Sequence, residues 1–289
     1  MATILVTGSK GQLGSELIEL SQEYSKHQFF FTDVDELDIL DKKTLKDFIS
    51  GFQPDYVINC AAYTAVDKAE TEFELAVKVN FEAVKNLAQI CKANNTKLIH
   101  VSTDYVFDGK QSIPYIETDK TNAVSAYGKS KLKGEKTILA TKDLDAIIIR
   151  TSWLYSSYGN NFVKTISKYA KERNELSIVF DQIGCPTFAG DLAKSILEII
   201  EFSEKNEFKK GIYHFSNEGV CSWYDFTKEI VKMSKIDCKI NPIRTSQYPT
   251  PAVRPAYSVF DKSKIKSTFK ITVPFWKDSL KKCLTILEK

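Results

Sequence analysis

No apolar run in this 289-residue chain approaches the ~18 residues a membrane-crossing helix needs, so a helical membrane protein is excluded. A concentrated basic stripe is missing as well. Forty Lys and Arg stand against 37 Asp and Glu, a formal net charge of +3, and the lysines are scattered. No nucleic-acid surface and no membrane partner are therefore expected. Histidine is scarce, and His27, His100 and His214 lie far apart, so packing or surface roles are expected for them rather than metal binding. The six cysteines (60, 91, 185, 221, 238, 283) form no Cys-x-x-Cys pair. Cys60 falls in an apolar strand pattern, where a reduced thiol is usual. The expectation is a reducing cytoplasm and no structural metal. Repeats and low-complexity linkers are absent, and the first residues read as a strand entering a glycine turn rather than as a signal peptide.

That turn is the most informative stretch of the chain. Ile4-Leu5-Val6-Thr7 leads into Gly8, Gly11 and Gly14, and an amphipathic helical pattern with Leu13, Leu17, Ile18 and Leu20 follows. One glycine allows the tight turn, one lets backbone approach a pyrophosphate, and one lets the helix pack close to the strand. The helix N-terminus then offers free N–H groups to phosphate. Three glycines alone also fit an ordinary strand-to-helix turn, and the flanking strand and helix favour a dinucleotide site.

Downstream, strand patterns at Gln28–Thr32, Tyr56–Cys60, Leu98–Ser102 and Ala146–Thr151 alternate with helical ones at Lys42–Phe52, Thr71–Ala93 and Ala126–Thr141. The strands are near-continuous apolar runs, as parallel strands covered on both faces are. The expected fold is α/β, a Rossmann-like doubly wound parallel sheet with a smaller C-terminal substrate-binding lobe. Residues 1–155 read as the dinucleotide-binding core, with the sheet continued at about 176–202, and residues 156–289 read mainly as the substrate lobe.

Two further clusters carry chemistry. Tyr127 and Lys131 are four apart and share a helix face. An ammonium near the phenol is expected to lower the tyrosine pKa and make it a usable general acid or base. A solvent-facing Tyr–Lys pair fits the same spacing. Ser102, Thr103 and Asp104 follow an apolar strand, where ligands of open α/β sheets bind, although such hydroxyls also serve as turn caps. Asp33, just past the second strand, is placed to accept from a ribose 2′-OH, and Lys10 to offset a 2′-phosphate.

In this order, glycine turn, strand-end hydroxyl and Tyr-x-x-x-Lys resemble the extended short-chain dehydrogenase/reductase family. Within it, Gly11-Gln12-Leu13-Gly14, Ser102–Phe107 and Tyr248-Pro249-Thr250-Pro251-Ala252 are similar to the members that reduce a dTDP-linked 4-keto sugar. The resemblance implies NADPH as cofactor, with NADH as alternative. Its implied reaction is reduction of the C4 ketone of dTDP-4-dehydro-6-deoxy-L-mannose to dTDP-L-rhamnose. Tyr127 would protonate the ketone oxygen, Lys131 would hold the nicotinamide ribose, and Thr103 would hydrogen-bond the ketone. Gly8, Gly11, Gln12, Leu13 and Gly14 would contact the pyrophosphate side. Asp33, Asp38 and Ile39 would face the adenosine, and Ala62, Tyr63 and Thr64 the nicotinamide side. Asp104, Val66, Trp153, Asn161 and Arg254 would bind the sugar nucleotide. Some members dimerise around a magnesium ion. Here Gly190, beside Asp191, stands at one ligand position and Glu16 at the other, so no metal and a monomer or weak homodimer are expected. A related epimerase or dehydratase and a non-catalytic regulatory subunit remain alternatives. Tyr105 after Asp104, where a dehydratase commonly has Glu, argues against the former, and intact Thr103, Tyr127 and Lys131 argue against the latter.

Overall fold

The structure is a computed structural model and describes residues 1–288. Its first half alternates β1 (Thr3–Thr7), α1 (Gln12–Ser21), β2 (Gln28–Thr32), α2 (Lys42–Phe52), β3 (Tyr56–Asn59), α3 (Phe73–Val77), α4 (Ala83–Ala93), β4 (Lys97–Thr103), α5 (Ala126–Ala140) and β5 (Ala146–Thr151). The second half carries β6 (Leu154–Tyr155), α6 (Phe162–Glu172), β7 (Glu175–Val179), β8 (Ile183–Gly184), β9 (Thr187–Phe188), α7 (Ala189–Ser203), β10 (Gly211–His214), β11 (Cys221–Ser222), α8 (Trp223–Met233), β12 (Lys239–Ile243), α9 (Ser263–Phe269) and α10 (Trp276–Leu287).

Six parallel strands form the central sheet in the order β10-β5-β4-β3-β1-β2. Every residue of β3 and β5 is buried, which is why their sequences are nearly all apolar. Leu17, Leu192, Ile196 and Phe269 from α1, α7 and α9 cover one face. Leu45, Leu87 and Ile138 from α2, α4 and α5 cover the other. Each such side chain contributes about 1.5–3 kcal/mol by leaving water. The strand order reverses between β1 and β3, and the carboxyl ends of the strands on either side of that point open the crevice in which doubly wound sheets bind ligands.

Two details differ from the sequence expectation. The strand expected to extend the sheet near residue 176 is β7, which pairs with β12 in a separate two-stranded sheet. The sixth strand is β10 instead, laid in register along β5. β7 buries only part of its surface, whereas Tyr213 and His214 of β10 are buried, so β10 is the strand that tolerates a fully covered sheet. Of the expected 176–202 segment, α7 alone packs on the sheet. The helix expected over 71–93 is interrupted by a π turn at Lys78–Glu82, centred on buried Asn80. Asn80 binds the N–H and C=O of Tyr63 and the Ser130 hydroxyl, which ties this turn to the loop after β3 and to α5.

A third apolar cluster holds the C-terminal segments together, with Tyr155, Val163, Phe226, Ile230, Trp276 and Leu280 at its centre. At its border the Trp153 and Trp223 rings stack 3.5 Å apart. No helix among the described residues is long and apolar enough to cross a membrane.

Candidate active site

The glycine turn is built for close approach. A Cβ on Gly14 would lie 2.4 Å from the Gly8 carbonyl oxygen, so no side chain fits there. Gly11 caps α1 without a side-chain hydrogen bond, and the first N–H groups of the helix remain available. Asp33 sits beside them. Its Oδ2 accepts from the Lys10 N–H at 2.8 Å and its Oδ1 from the Val34 N–H at 2.9 Å. The Lys10 ammonium lies 2.8 Å from Asp35 and 3.1 Å from Glu36, and these hydrogen bonds hold its pKa above the usual range. This side of the glycine turn therefore carries the carboxylates of Asp33, Asp35 and Glu36 and one lysine already partnered by the last two.

The reacting groups come from α5 and the end of β4. Ser125 caps α5 by accepting from the Gly128 N–H. A Cβ on Gly128 would come within 2.2 Å of the Tyr105 carbonyl oxygen, so only glycine lets α5 seat on the turn after β4. That contact brings the Tyr127 ring edge-on to Tyr105, 5.5 Å between centroids. Burial pushes the Tyr127 phenol up to about 12, while the Thr103 hydroxyl acts in the opposite direction. This reverses the expected lowering by Lys131. The Lys131 ammonium donates to the Val101 carbonyl at 2.7 Å and is not among the groups acting on the phenol. Burial lowers Lys131 itself to about 8, against the carboxylate of Glu135 and the thiol of Cys60, which raise it.

Asp104 is buried. Its Oδ1 accepts from the Thr103 hydroxyl at 3.0 Å, and its Oδ2 has no partner. Burial raises its carboxyl to about 6, against the Thr103 and Ser258 hydroxyls. A buried network backs this wall. Glu135 accepts from Ser102 at 2.5 Å and from Arg150 at 2.7 Å, and Arg150 lies 3.5 Å from His214. His214, held to about 3 mainly by burial, is neutral, and its Nδ1–H donates to the Tyr115 carbonyl.

One cleft of about 950 Å³ joins the glycine turn to this wall. It is lined by Gly8, Gly11, Gln12, Leu13 and Gly14, by Asp33, Asp38 and Ile39, and by Ala62 and Thr64. Thr103, Asp104, Tyr127 and Lys131 line it as well, and so do Val66, Trp153 and Asn161. Trp153 holds its place with a left-handed backbone, φ +48°, under the Trp223 stack.

Two expected residues do not line the cleft. Tyr63 turns its hydroxyl to Glu72 and packs with Phe73 and Tyr127, because Asn80 fixes its backbone. Arg254 forms a two-pronged ion pair with Asp67, at 2.9 and 2.6 Å. Asp38 does not cap α2, a role taken by Asp41. Conversely, Leu75 and Val79 line the cleft although nothing in their pattern set them apart from other helix positions.

The donor set suits a dinucleotide. Helix N–H groups with no side chain above them match a pyrophosphate, and the unpartnered Asp104 oxygen matches a hydroxyl-bearing ligand. A doubly wound parallel sheet with a glycine turn and a Tyr-x-x-x-Lys pair in one cleft defines a protein of the short-chain dehydrogenase/reductase type. The family signature described as RmlD substrate binding domain matches residues 1–289, and the chain belongs to that family. It is 44% identical over 288 residues to the dTDP-4-dehydrorhamnose reductase of Aggregatibacter actinomycetemcomitans, covering 97% of this chain and 98% of that one. The crystal structure of a dTDP-4-dehydrorhamnose reductase from Clostridium acetobutylicum superposes with a TM-score of 0.94 at 42% identity, covering 99% of this chain and all of the other. That of the Bacillus anthracis dTDP-4-dehydrorhamnose reductase in complex with NADP gives 0.93 at 35%, covering 99% of each.

Proposed function

We infer that this chain reduces the C4 ketone of dTDP-4-dehydro-6-deoxy-L-mannose with NAD(P)H, giving dTDP-L-rhamnose. The observation that carries this reading is the meeting of Tyr127, Thr103 and Lys131 in the cleft that the glycine turn enters. When bound, the nicotinamide supplies a hydride equivalent. The chain supplies everything else. The α1 N–H groups hold the pyrophosphate, and Asp33 accepts from the adenosine ribose. Lys131 holds the nicotinamide ribose. Thr103 orients the ketone, and Tyr127 donates the proton to its oxygen. A phenol kept protonated by burial suits a proton donor. Asp104 and Trp153 bind the sugar nucleotide, with Val66 and Asn161 beside them. The segment after residue 155 supplies most of the substrate side.

The position after Asp104 favours this over dehydration. It holds Tyr105, half-buried against Tyr127, and supplies no second carboxylate. Glu16 and Asp191 are each engaged within the chain, by Ser156 and by Asn217 with Ser279, which supports a metal-independent monomer or weak homodimer. The test is absorbance at 340 nm with purified protein. One equivalent of NAD(P)H is consumed per keto-sugar. A cofactor cycled without net consumption points to an epimerase or dehydratase, and no turnover to a binding protein.

A further inference from the structure

Three buried polar side chains next to Lys131 have no part in the chemistry described so far. Thr7, Asn59 and His100 are 1%, 1% and 0% exposed. They sit side by side across three strands, Thr7 opposite Asn59 in the β1–β3 register and Asn59 opposite His100 in the β3–β4 register. The Thr7 hydroxyl donates to Asn59 Oδ1 at 2.7 Å, and Asn59 Nδ2 meets His100 Nδ1 at 3.0 Å. The row ends on the active-site lysine, with His100 Nε2 lying 3.5 Å from Lys131 Nζ. A sheet interior needs no such row, since each of these groups costs free energy to bury and is tolerated only when bonded.

We propose that Thr7, Asn59 and His100 form a hydrogen-bond ladder that sets the charge state of Lys131, with His100 as a positioning residue for the reaction. The polarity runs from one end. The only hydroxyl proton of Thr7 goes to Asn59 Oδ1, which turns the amide NH₂ toward His100. His100 Nδ1 then accepts, and the ring proton sits on Nε2, facing Lys131. An N–H facing Nζ bonds the lone pair of an amine and repels an ammonium. His100 cannot escape by gaining a proton of its own, because burial and the neighbouring lysine hold it well below its usual range.

The other groups facing Lys131 have little room to change. Glu135, one turn along α5, is bound to Arg150 and Ser102. Cys60, after β3, is a neutral thiol pushed up to about 12 by burial, and Tyr127 is a neutral phenol. The Val101 carbonyl accepts from either form of the lysine. The ladder is the one neighbour whose polarity can reverse.

The inference rests on Lys131 acting in a reductase cleft, so its test has two readouts. NADPH binding, followed by fluorescence, and kcat/KM are each measured from pH 6 to pH 10. Wild type loses both as the pH rises through about 8, where Lys131 discharges. In Thr7→Val the Asn59 amide is free to turn, His100 presents a lone pair to the ammonium, and the break moves up by about one pH unit, a tenfold change in the ratio of ammonium to amine. His100→Leu moves it the same way, because no N–H then faces the ammonium. Thr7→Ser restores the hydroxyl and the wild-type break. A folded Thr7→Val or His100→Leu protein whose break stays in place overturns the ladder, as does a wild type with no basic break in binding. Should His100→Leu fail to fold, the isosteric Thr7→Val and its Thr7→Ser rescue decide alone. If wild type binds NADPH but turns over no sugar, the reductase reading falls while the binding break still decides the ladder.

Discussion

Replacing Tyr127 by Phe lowers kcat by roughly 10²–10⁴-fold, the usual scale for losing a general acid. The ring stays in place, because its edge-on contact with Tyr105 and the α5 cap do not involve the hydroxyl. Cofactor affinity and melting temperature therefore change little, and the loss appears in kcat. Steady-state kinetics with a parallel NADPH titration check this. A Tyr127→Phe enzyme within a few-fold of wild type removes Tyr127 from the chemistry and leaves Thr103 and Asp104 to explain the protonation.

Arg150→Met has its large effect on folding. Arg150 and Glu135 are 2% and 1% exposed and bonded to each other through both guanidinium and carboxylate. Removing the cation leaves a carboxylate buried with only the Ser102 hydroxyl, at a cost of about 3–5 kcal/mol. The double variant Glu135→Gln with Arg150→Met recovers most of that loss, since no uncompensated charge remains. Urea denaturation of the three proteins measures it. A loss under about 1 kcal/mol in the single variant would show that water reaches Glu135. The pair ties β5 to α5, and Glu135 also binds Ser102 at the end of β4, so loosening the pair reaches Thr103, Tyr127 and Lys131 in the cleft as well.

Much of this arrangement was legible in the sequence, for identifiable reasons. A parallel sheet covered on both faces demands unbroken apolar strands, and Ala146–Ile149 and Tyr56–Ile58 supply them. The glycine turn is legible because backbone contact tolerates no side chain at Gly14. The i, i+4 spacing puts Tyr127 and Lys131 in one cleft. The failures are of a different kind. Whether β7 or β10 joins the main sheet depends on burial that neither segment's own pattern reveals. Arg254 is drawn to Asp67, 187 positions away, an ion-pair choice no local pattern encodes. Tyr63 is turned aside by Asn80 from an unannounced π turn. The Tyr127 shift was expected in the wrong direction because spacing shows that two groups share a face, whereas burial and the pull of Val101 on Lys131 decide what the phenol experiences.

The most direct test of the central claim follows the transferred hydrogen. NADH carrying deuterium at both C4 positions is incubated with the protein and dTDP-4-dehydro-6-deoxy-L-mannose, and the product is read by NMR and mass spectrometry. The account predicts dTDP-L-rhamnose with one deuterium, bound to C4 of the sugar, for each NADH oxidised. Deuterium at another carbon, or a product formed without any, would contradict it.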